Sequence, residues 1–221
     1  QDIDSWNISS ALELAGMFDN ATAFNQNINS WDTSNVTTMA NMFNGATAFN
    51  QNIGSWTTTN VIDMSGLYQG ADSFNQNISN WDTSSVEDMS YMFKNASLFN
   101  QPIGNWTTSN VDNMSEMFDG AVGFNQDINN WDTGKVEYMT AMFRNASAFN
   151  QNLGSWDVTS LIDAFDMLSG ATLSVFNYDA LLEGWESLDQ TQDLIDNVNF
   201  GGGANNYCLA ETARQNLITN D

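Results

Sequence analysis

Hydrophobic residues recur along the chain at a fixed spacing of 25 positions. One such column is tryptophan, at Trp6, Trp31, Trp56, Trp81, Trp106, Trp131 and Trp156. A column of isoleucine and leucine and a column of alanine keep the same phase, beginning at Ile3 and Ala21. A period of 25 is typical of leucine-rich-type solenoids, in which each coil buries its apolar side only against its neighbours. The pattern predicts seven stacked coils over residues 1–176.

Each coil contains a segment with helical periodicity. The apolar positions from Val36 to Phe43 are spaced i, i+3, i+6 and i+7, as on one face of an α-helix. Ser34 is a residue type that caps helix starts, and Gly45 is a typical residue after a helix end. Acids that favour a helix start stand three residues after the equivalent cap position in other coils, at Glu87, Asp112 and Glu137. We therefore predict one helix of about ten residues in each coil.

A short strand is predicted after each helix. From Phe49 to Trp56, the apolar residues Phe49 and Ile53 are separated by polar positions, which favours a strand with one buried side. The predicted fold is α/β: a right-handed leucine-rich-repeat-like solenoid with one short parallel strand and one helix per 25-residue coil. Because strands stack more closely than helices, the sheet should line the concave side.

The end of the chain has a different pattern. The next Phe-Asn pair after Trp156, Phe176-Asn177, comes two residues late. Residues 177–221 lack the repeat and contain two helical patterns, which predict an α-rich C-terminal cap over the last coil. Its apolar positions include Leu181, Leu182, Trp185, Leu188, Leu194, Ile195 and Leu217. The start of the chain has no such segment, so we expect further coils or another domain before Gln1.

Composition limits the partners. The 221 residues include 27 Asp and Glu against four Lys and Arg, a formal charge of -23 that would repel phosphate backbones and anionic lipid. We expect neither a nucleic-acid partner nor direct membrane insertion, since no apolar run reaches the roughly 18 residues of a membrane span. The single cysteine, Cys208, cannot form an internal disulfide, and a small buried apolar role is expected for it.

The repeat resembles a known family. The unit V-x-x-M-x-x-M-F-x-x-A-x-x-F-N-Q-x-I-x-x-W-x-T, as in residues 36–58, resembles the 25- to 26-residue repeat of bacterial surface proteins in the BspA-like leucine-rich repeat family. The segments NYDALLEGW at 177–185 and FGGG at 200–203 resemble the closing segment of secreted Bacteroidetes proteins that carry these repeats. The resemblance implies an extracellular or cell-surface protein, associated with the outer membrane and used in adhesion or protein binding. It implies no enzymatic activity.

Catalytic and metal chemistry find little support. The chain has no histidine, which excludes histidine-dependent triads and histidine zinc sites. The recurring acids Asp32, Asp82 and Asp132 are predicted to close turns rather than to act as paired carboxylates. No calcium loop of the EF-hand type is present, so we predict no cofactor, no metal and a fold that needs neither.

Four polar or sulfur-containing columns have mainly structural interpretations. The Asn and Gln columns that begin at Asn25 and Gln26 are predicted to stack as a ladder of side-chain amides, with a polar ligand row as the alternative. The methionine column that begins at Met39 is predicted to lie in the core. The threonine column that begins at Thr33 is predicted to cap turns, which leaves ice binding as a minor alternative.

Columns that vary from coil to coil indicate where a partner could bind. Lys94, Asp119 and Arg144 share one exposed column with alternating charge. A second variable row, predicted to be concave, contains Asn27, Asn52, Asn77, Pro102, Asp127 and Asn152. The candidate partner-binding residues are Tyr91, Lys94, Glu116, Asp119, Tyr138, Arg144, Asn27, Asn52, Asn77 and Asp127.

The predicted function is therefore a non-catalytic surface module for adhesion or protein binding, with a surface or secreted protein as partner. Two alternatives remain. The chain could be a passive spacer between other domains, or it could bind glycans with the Asn, Asp and Trp groups of the concave side. Ligand binding distinguishes these alternatives, since a spacer should bind nothing and a glycan binder should show saturable binding to sugars.

Overall fold

The structure is a computed structural model that describes residues 2–189 of the chain. Within that range it has one helix, α1 (Val175–Asp189). The preceding residues are turns and extended segments joined by isolated parallel bridges. These bridges link Glu13, Thr38, Asp63, Asp88, Asn113, Tyr138 and Asp163 in order, each to the next. The 25-residue repeats therefore stack on one another in strict register.

Backbone hydrogen bonds join each repeat to the next along the side that carries the bridges. Met39 N–H donates to Asp63 O (2.9 Å), and Phe43 N–H donates to Leu67 O (2.9 Å). The same pattern recurs between later repeats, as in Met114 N–H to Tyr138 O (2.8 Å). We call the side of the stack that carries the bridges the ladder face. In each repeat it runs from the residue before the bridge residue to the sixth residue after it.

The segment predicted to be helical lies in this ladder. From Val36 to Phe43 the chain forms turns, with bonds such as Met42 N–H to Met39 O (3.1 Å). Asn41 has a left-handed φ of 56°, which interrupts a right-handed helix, and alternate N–H groups bond to the next repeat rather than four residues back. The apolar spacing was correct, since Val36 and Met39 are fully buried. A sequence of tight turns buries these side chains as a helix would.

The segment predicted to be a strand forms turns instead. Phe49 and Ile53 are buried as expected, but Asn52 accepts the Gly54 N–H and turns the chain. Stacked rings near the ladder, such as Phe43 and Tyr68, have centroids 5.6–5.7 Å apart, whereas the stacked tryptophans are 6.3–6.5 Å apart. The ladder side is therefore the shorter side of the stack. The right-handed leucine-rich-repeat class stays a prediction.

The predicted core and amide columns are confirmed. The methionine column from Met39 to Met139 is fully buried, and Trp31 to Trp156 are at most 4% exposed. Each of these tryptophans donates its Nε1–H to a carbonyl of the preceding repeat, as Trp106 does to Ile78 O (3.2 Å). In the amide ladder, Asn25 Oδ1 accepts both the Asn50 N–H (3.0 Å) and the Gln51 side chain (2.9 Å). The packing of the buried columns and the hydrogen bonds of the amide ladder therefore both recur every 25 residues.

Helix α1 covers the last repeat by reproducing these contacts. Trp185 Nε1 donates to Leu153 O (3.2 Å), as the other tryptophans do one repeat earlier. Asn177 Nδ2 donates to Asn150 Oδ1 (2.9 Å) in the way that Gln151 donates to Asn125. Leu181, Leu182 and Trp185 of α1 are buried. The predicted cap residues Leu194, Ile195 and Leu217, the remainder of the 177–221 segment after residue 189, and Cys208 lie outside the described residues.

Tyr68 has a buried hydroxyl, whereas the other five aromatic residues in its column are phenylalanines. It is fully buried, and no described group forms a hydrogen bond with its OH. Because an unpaired buried hydroxyl is unfavourable, Tyr68→Phe should raise the free energy of unfolding by about 1 kcal/mol. Urea unfolding followed by tryptophan fluorescence measures this difference.

The reverse change at an equivalent site is the control. Phe118→Tyr places a hydroxyl in the same column two repeats later and should lower the free energy of unfolding. A loss of stability in Tyr68→Phe would show that the hydroxyl has a partner after all.

Candidate functional site

The ladder face gathers most of the predicted partner-binding residues. In each repeat the bridge residue is followed three and six positions later by two further positions on the same side. Three consecutive repeats place Asp88, Tyr91 and Lys94, then Asn113, Glu116 and Asp119, then Tyr138, Ala141 and Arg144 at these positions. Six of the ten candidate residues therefore lie on three neighbouring repeats of one face.

The middle position of each triplet has a left-handed backbone. Its seven members, Gly16, Asn41, Gly66, Tyr91, Glu116, Ala141 and Asp166, have φ between 51° and 63°. A side chain in this conformation costs about 1–2 kcal/mol relative to a right-handed one, and glycine avoids the cost. Two repeats use glycine, yet Tyr91 and Glu116 occupy the same position elsewhere. Because glycine suffices at this position, the backbone itself does not require the side chains of Tyr91 and Glu116.

Four charged side chains form one network across these repeats. Arg144 binds Asp119 through two hydrogen bonds (3.1 and 2.7 Å), and its Nη2 lies 3.3 Å from Glu116. Lys94 pairs with Glu116 and lies 3.6 Å from Asp119. Asp119 is only 5% exposed, so its charge depends on these two cations. The network is neutral as a whole and fixes four long side chains in place.

The network also raises the pKa of both cations. The hydrogen bond to Asp119 raises the pKa of Arg144. Burial lowers the pKa of Lys94, but the hydrogen bond and charge of Glu116 and the charge of Asp119 outweigh it, so the net shift is upward. Both cations therefore stay charged through the neutral pH range.

Two tyrosines border the network. Lys94 Nζ lies 5.4 Å from the centroid of the Tyr91 ring, a cation-π contact that holds a ring which is 37% exposed. Tyr138 occupies a bridge position and is 39% exposed. Exposed, oriented tyrosines beside an ordered charge network are typical of protein-binding surfaces.

The other four candidate residues lie elsewhere. Asn27, Asn52, Asn77 and Asp127 share an exposed column next to the tryptophan turns, away from the ladder. Each accepts a hydrogen bond from the backbone N–H two residues later, as Asp127 does from Asn129 (3.0 Å). Their concave placement is not what the structure has, because the ladder forms the shorter side. These side chains close turns.

The ladder face also carries an acidic strip that is not among the predicted binding residues. Glu87, Asp112 and Glu137 stand one position before the bridge residues, and all three are exposed. No described residue forms an ion pair with them, and Lys135, two positions before Glu137, binds Asn110 instead (2.7 Å). They had been assigned to helix starts. The three acids share a column with Ile62 and Ile162, which are exposed, and this column was the signal that could have identified the strip.

The strip is electrostatically strained at its centre. Burial and the charges of Asp88, Glu137 and Glu87 raise the pKa of Asp112 above its ordinary 3.8. The folded state therefore holds this proton more tightly than the unfolded chain, so ionisation of Asp112 destabilises the fold as the pH rises through the folded pKa.

Asp112→Asn should consequently be stabilising at neutral pH. We expect its melting temperature to exceed that of the parent by roughly 1–2 °C at pH 7, and the difference to vanish below the ordinary value of 3.8. Asp127→Asn is the control, since asparagine closes the equivalent turn in other repeats. Calorimetry of both variants against pH tests the sign, and a lower melting temperature for Asp112→Asn at pH 7 would contradict it.

The side chains on which several alternative sites would depend are buried or close turns. Thr33, Thr58, Thr83, Thr108 and Thr133 are 1% exposed and donate to carbonyls of the next repeat, so this column offers no ice-binding surface. The tryptophans from Trp31 to Trp156 are buried and present no platform for sugars. Asp32, Asp82, Asp132 and Asp157 close turns, as predicted.

Metal and membrane sites were also sought. Among residues 2–189, no group of three or more carboxylate or thiol side chains is arranged to hold a metal ion. The same residues include no helix with the length and apolar character needed to cross a bilayer.

The repeats match a known protein family along most of the chain. Residues 1–96 and 74–185 each match the family described as Mycoplasma protein of unknown function, DUF285. No curated protein and no solved structure gives a significant match. The two matched ranges together include all the stacked repeats and most of α1. The chain therefore belongs to the DUF285 family of repeat proteins.

Proposed function

We propose that this chain is a non-catalytic binding module that recognises a protein partner through its ladder face. The observation that carries the proposal is the left-handed backbone of Tyr91 and Glu116. Glycine fills this position at Gly16 and Gly66, so stacking alone does not require a tyrosine or a glutamate there. What these side chains supply is an exposed ring and an ordered charge network, which are useful for recognition and dispensable for packing.

A second part of the proposal concerns the family of the repeats and the cellular location of the protein. We assign the repeats to the BspA-like branch of bacterial surface proteins and the protein to the cell surface or the extracellular space, associated with the outer membrane. Support comes from the repeat unit of residues 36–58 and the closing segment of the chain. An acidic, histidine-free chain also agrees with a binding role rather than a catalytic one.

The test compares two glycine substitutions at equivalent positions. Tyr91→Gly removes the ring and relieves the left-handed strain, so it should melt at the same temperature as the parent or higher. Asn41→Gly makes the same backbone change two repeats earlier, away from the network. Each protein is immobilised and exposed to a cell-surface extract of the source organism, and bound proteins are identified.

We expect a protein that the parent and Asn41→Gly retain and that Tyr91→Gly loses. Equal retention by all three proteins would overturn the assignment of the ladder face. If nothing is retained by the parent, the spacer alternative is favoured, and saturable binding on a glycan array would favour the carbohydrate alternative.

A further inference from the structure

We propose that the ladder face docks a cationic amphipathic α-helix whose axis runs along the stacking direction of the repeats. This inference rests on the proposed function and names the chemistry of the partner. It is carried by three independent features of the face: the order of side chains in the acidic strip, the spacing of the repeats, and the absence of cations paired with the strip among the described residues.

The acidic strip has an apolar residue at each end. Along one column of the ladder face, the exposed side chains in consecutive repeats are Ile62, Glu87, Asp112, Glu137 and Ile162. The two isoleucines are 44% and 45% exposed, although isoleucine is one of the residue types most often fully buried. A partner that matches the strip must therefore present three cations between two apolar groups.

The spacing of the repeats selects a helix as the partner. Backbone hydrogen bonds join the strip residues of consecutive repeats beside the parallel bridges, which corresponds to a spacing of about 4.8 Å, and an α-helix rises about 5.4 Å per turn. Over the four intervals of the strip the two spacings differ by about 2.4 Å in total, which long side chains can span. An extended strand repeats every 6.6 Å or so on one side and would be about 7 Å out of register at the far end.

Charge favours this partner over an acidic or neutral one. The strip has no ion pair within the described residues, whereas the adjacent network of Lys94, Glu116, Asp119 and Arg144 is neutral. A helix with lysines on one side would neutralise Glu87, Asp112 and Glu137 at once and relieve their mutual repulsion. The exposed ring of Tyr138, next to Glu137, is placed to contact the aliphatic stems of such lysines.

The matching helix has a definite sequence pattern. With 3.6 residues per turn, successive turns place side chains on one line at i, i+4, i+7, i+11 and i+14. The partner should therefore carry apolar residues at i and i+14 and Lys or Arg at i+4, i+7 and i+11. The order of residue types, apolar, three cations and apolar, is the same in both directions, so this order does not fix the direction of the helix.

A designed peptide tests the inference. The probe is a fluorescent helical peptide of alanine and glutamine with leucine and lysine at the stated positions. The first control peptide moves the three lysines to i+6, i+9 and i+13, about 200° around the helix, with the composition unchanged. The second has a central proline that breaks the helix. Binding is followed by fluorescence anisotropy at low salt.

Two charge-matched protein variants show where the peptide binds. Glu87→Gln, Asp112→Asn and Glu137→Gln together remove the strip. The control variant, Asp72→Asn, Asp82→Asn and Asp127→Asn, removes three exposed charges that lie off the ladder face. We expect the strip variant to lose about tenfold or more in affinity, as three exposed ion pairs would give, and the control variant to lose no more than about twofold.

The expected and the contradicting results differ in which peptides and which protein variants bind. Binding of the designed peptide that is at least about tenfold tighter than that of both control peptides, and that depends on the strip variant alone, supports the inference. Equal binding of designed and permuted peptides, equal binding of the proline peptide, or equal loss in both protein variants would overturn it. If the peptide fails while Tyr91→Gly still loses a native partner, the proposed function stands and the helical partner does not. If the peptide binds as expected and Tyr91→Gly loses no native partner, the helical partner of the strip stands and the binding role proposed for Tyr91 does not.

Discussion

Trp106→Ala is expected to lower the free energy of unfolding by about 3–5 kcal/mol, among the largest effects of any single substitution in this chain. Trp106 is 3% exposed and stacks on Trp131 with ring centroids 6.5 Å apart and nearly parallel planes. Its Nε1–H donates to the Ile78 carbonyl (3.2 Å), which also accepts the Trp81 N–H (3.1 Å), so the substitution removes one of the two hydrogen bonds to this buried oxygen. Because each repeat packs only on its neighbours, the cavity weakens two interfaces at once.

Trp6→Ala is the matched control for this prediction. Trp6 belongs to the same column but is 47% exposed and stacks on one neighbour, Trp31. Its removal should lower the free energy of unfolding by about 1 kcal/mol or less. Urea titrations followed by circular dichroism measure both variants. If the two substitutions were equally costly, or if Trp106→Ala cost under about 1 kcal/mol, the tryptophan column would not be the core element that its burial indicates.

The sequence was sufficient to predict which side chains are buried and which pair between repeats. Strict recurrence required one environment for each column, and both the buried Met39 column and the amide ladder from Asn25 follow from that requirement. The left-handed turn at Gly45 was also indicated, since the helix stop predicted there needs the same positive φ. Periodicity of 25 residues thus carried more information than the shorter periods inside each repeat.

The shorter periods do not decide the backbone, because two backbones can bury the same side chains. The i, i+3, i+6, i+7 pattern from Val36 to Phe43 fits a helix, but it also fits turns that advance the chain around a coil. The deciding feature is where the N–H groups go. Met39 and Phe43 donate to the following repeat, and this depends on the stacking partner rather than on any local sequence. Stacking therefore overrides helix propensity here.

The candidate site was predictable in part. Lys94, Asp119 and Arg144 share a column, so contact between repeats follows from the period, and the structure places both cations against Asp119. The strain at Tyr91 was not predicted, although Gly16, Asn41 and Gly66 occupy the same column and are of residue types that favour a left-handed backbone. The acidic strip was missed because Asp112 and its neighbours had been explained already as helix-start residues. A residue with a ready structural explanation is seldom considered for a second role.

Removing the end of the chain after Gly170 is expected to produce a less stable protein that self-associates. The deletion removes the buried side chains of Leu181, Leu182 and Trp185 and exposes the last repeat at Leu153 and its neighbours. Burial of three such side chains contributes roughly 1.5–3 kcal/mol each, which corresponds to a loss of more than about 10 °C in melting temperature for a chain of this length. The uncovered repeat also presents unpaired backbone groups to other chains.

Deletion of two internal repeats separates this end effect from a general sensitivity to shortening. Removing residues 61–110 joins Asn60 to Val111, the same dipeptide that the parent has at positions 60–61 and 110–111, and keeps every column in phase. Because repeats contact only their neighbours, this shorter chain should stay folded and monomeric, although it loses Tyr91 and Lys94. Analytical ultracentrifugation and thermal melting compare it with the chain truncated after Gly170. A truncated chain that is monomeric with an unchanged melting temperature would show that α1 is dispensable, despite the contacts of Trp185 with Leu153 and of Asn177 with Asn150.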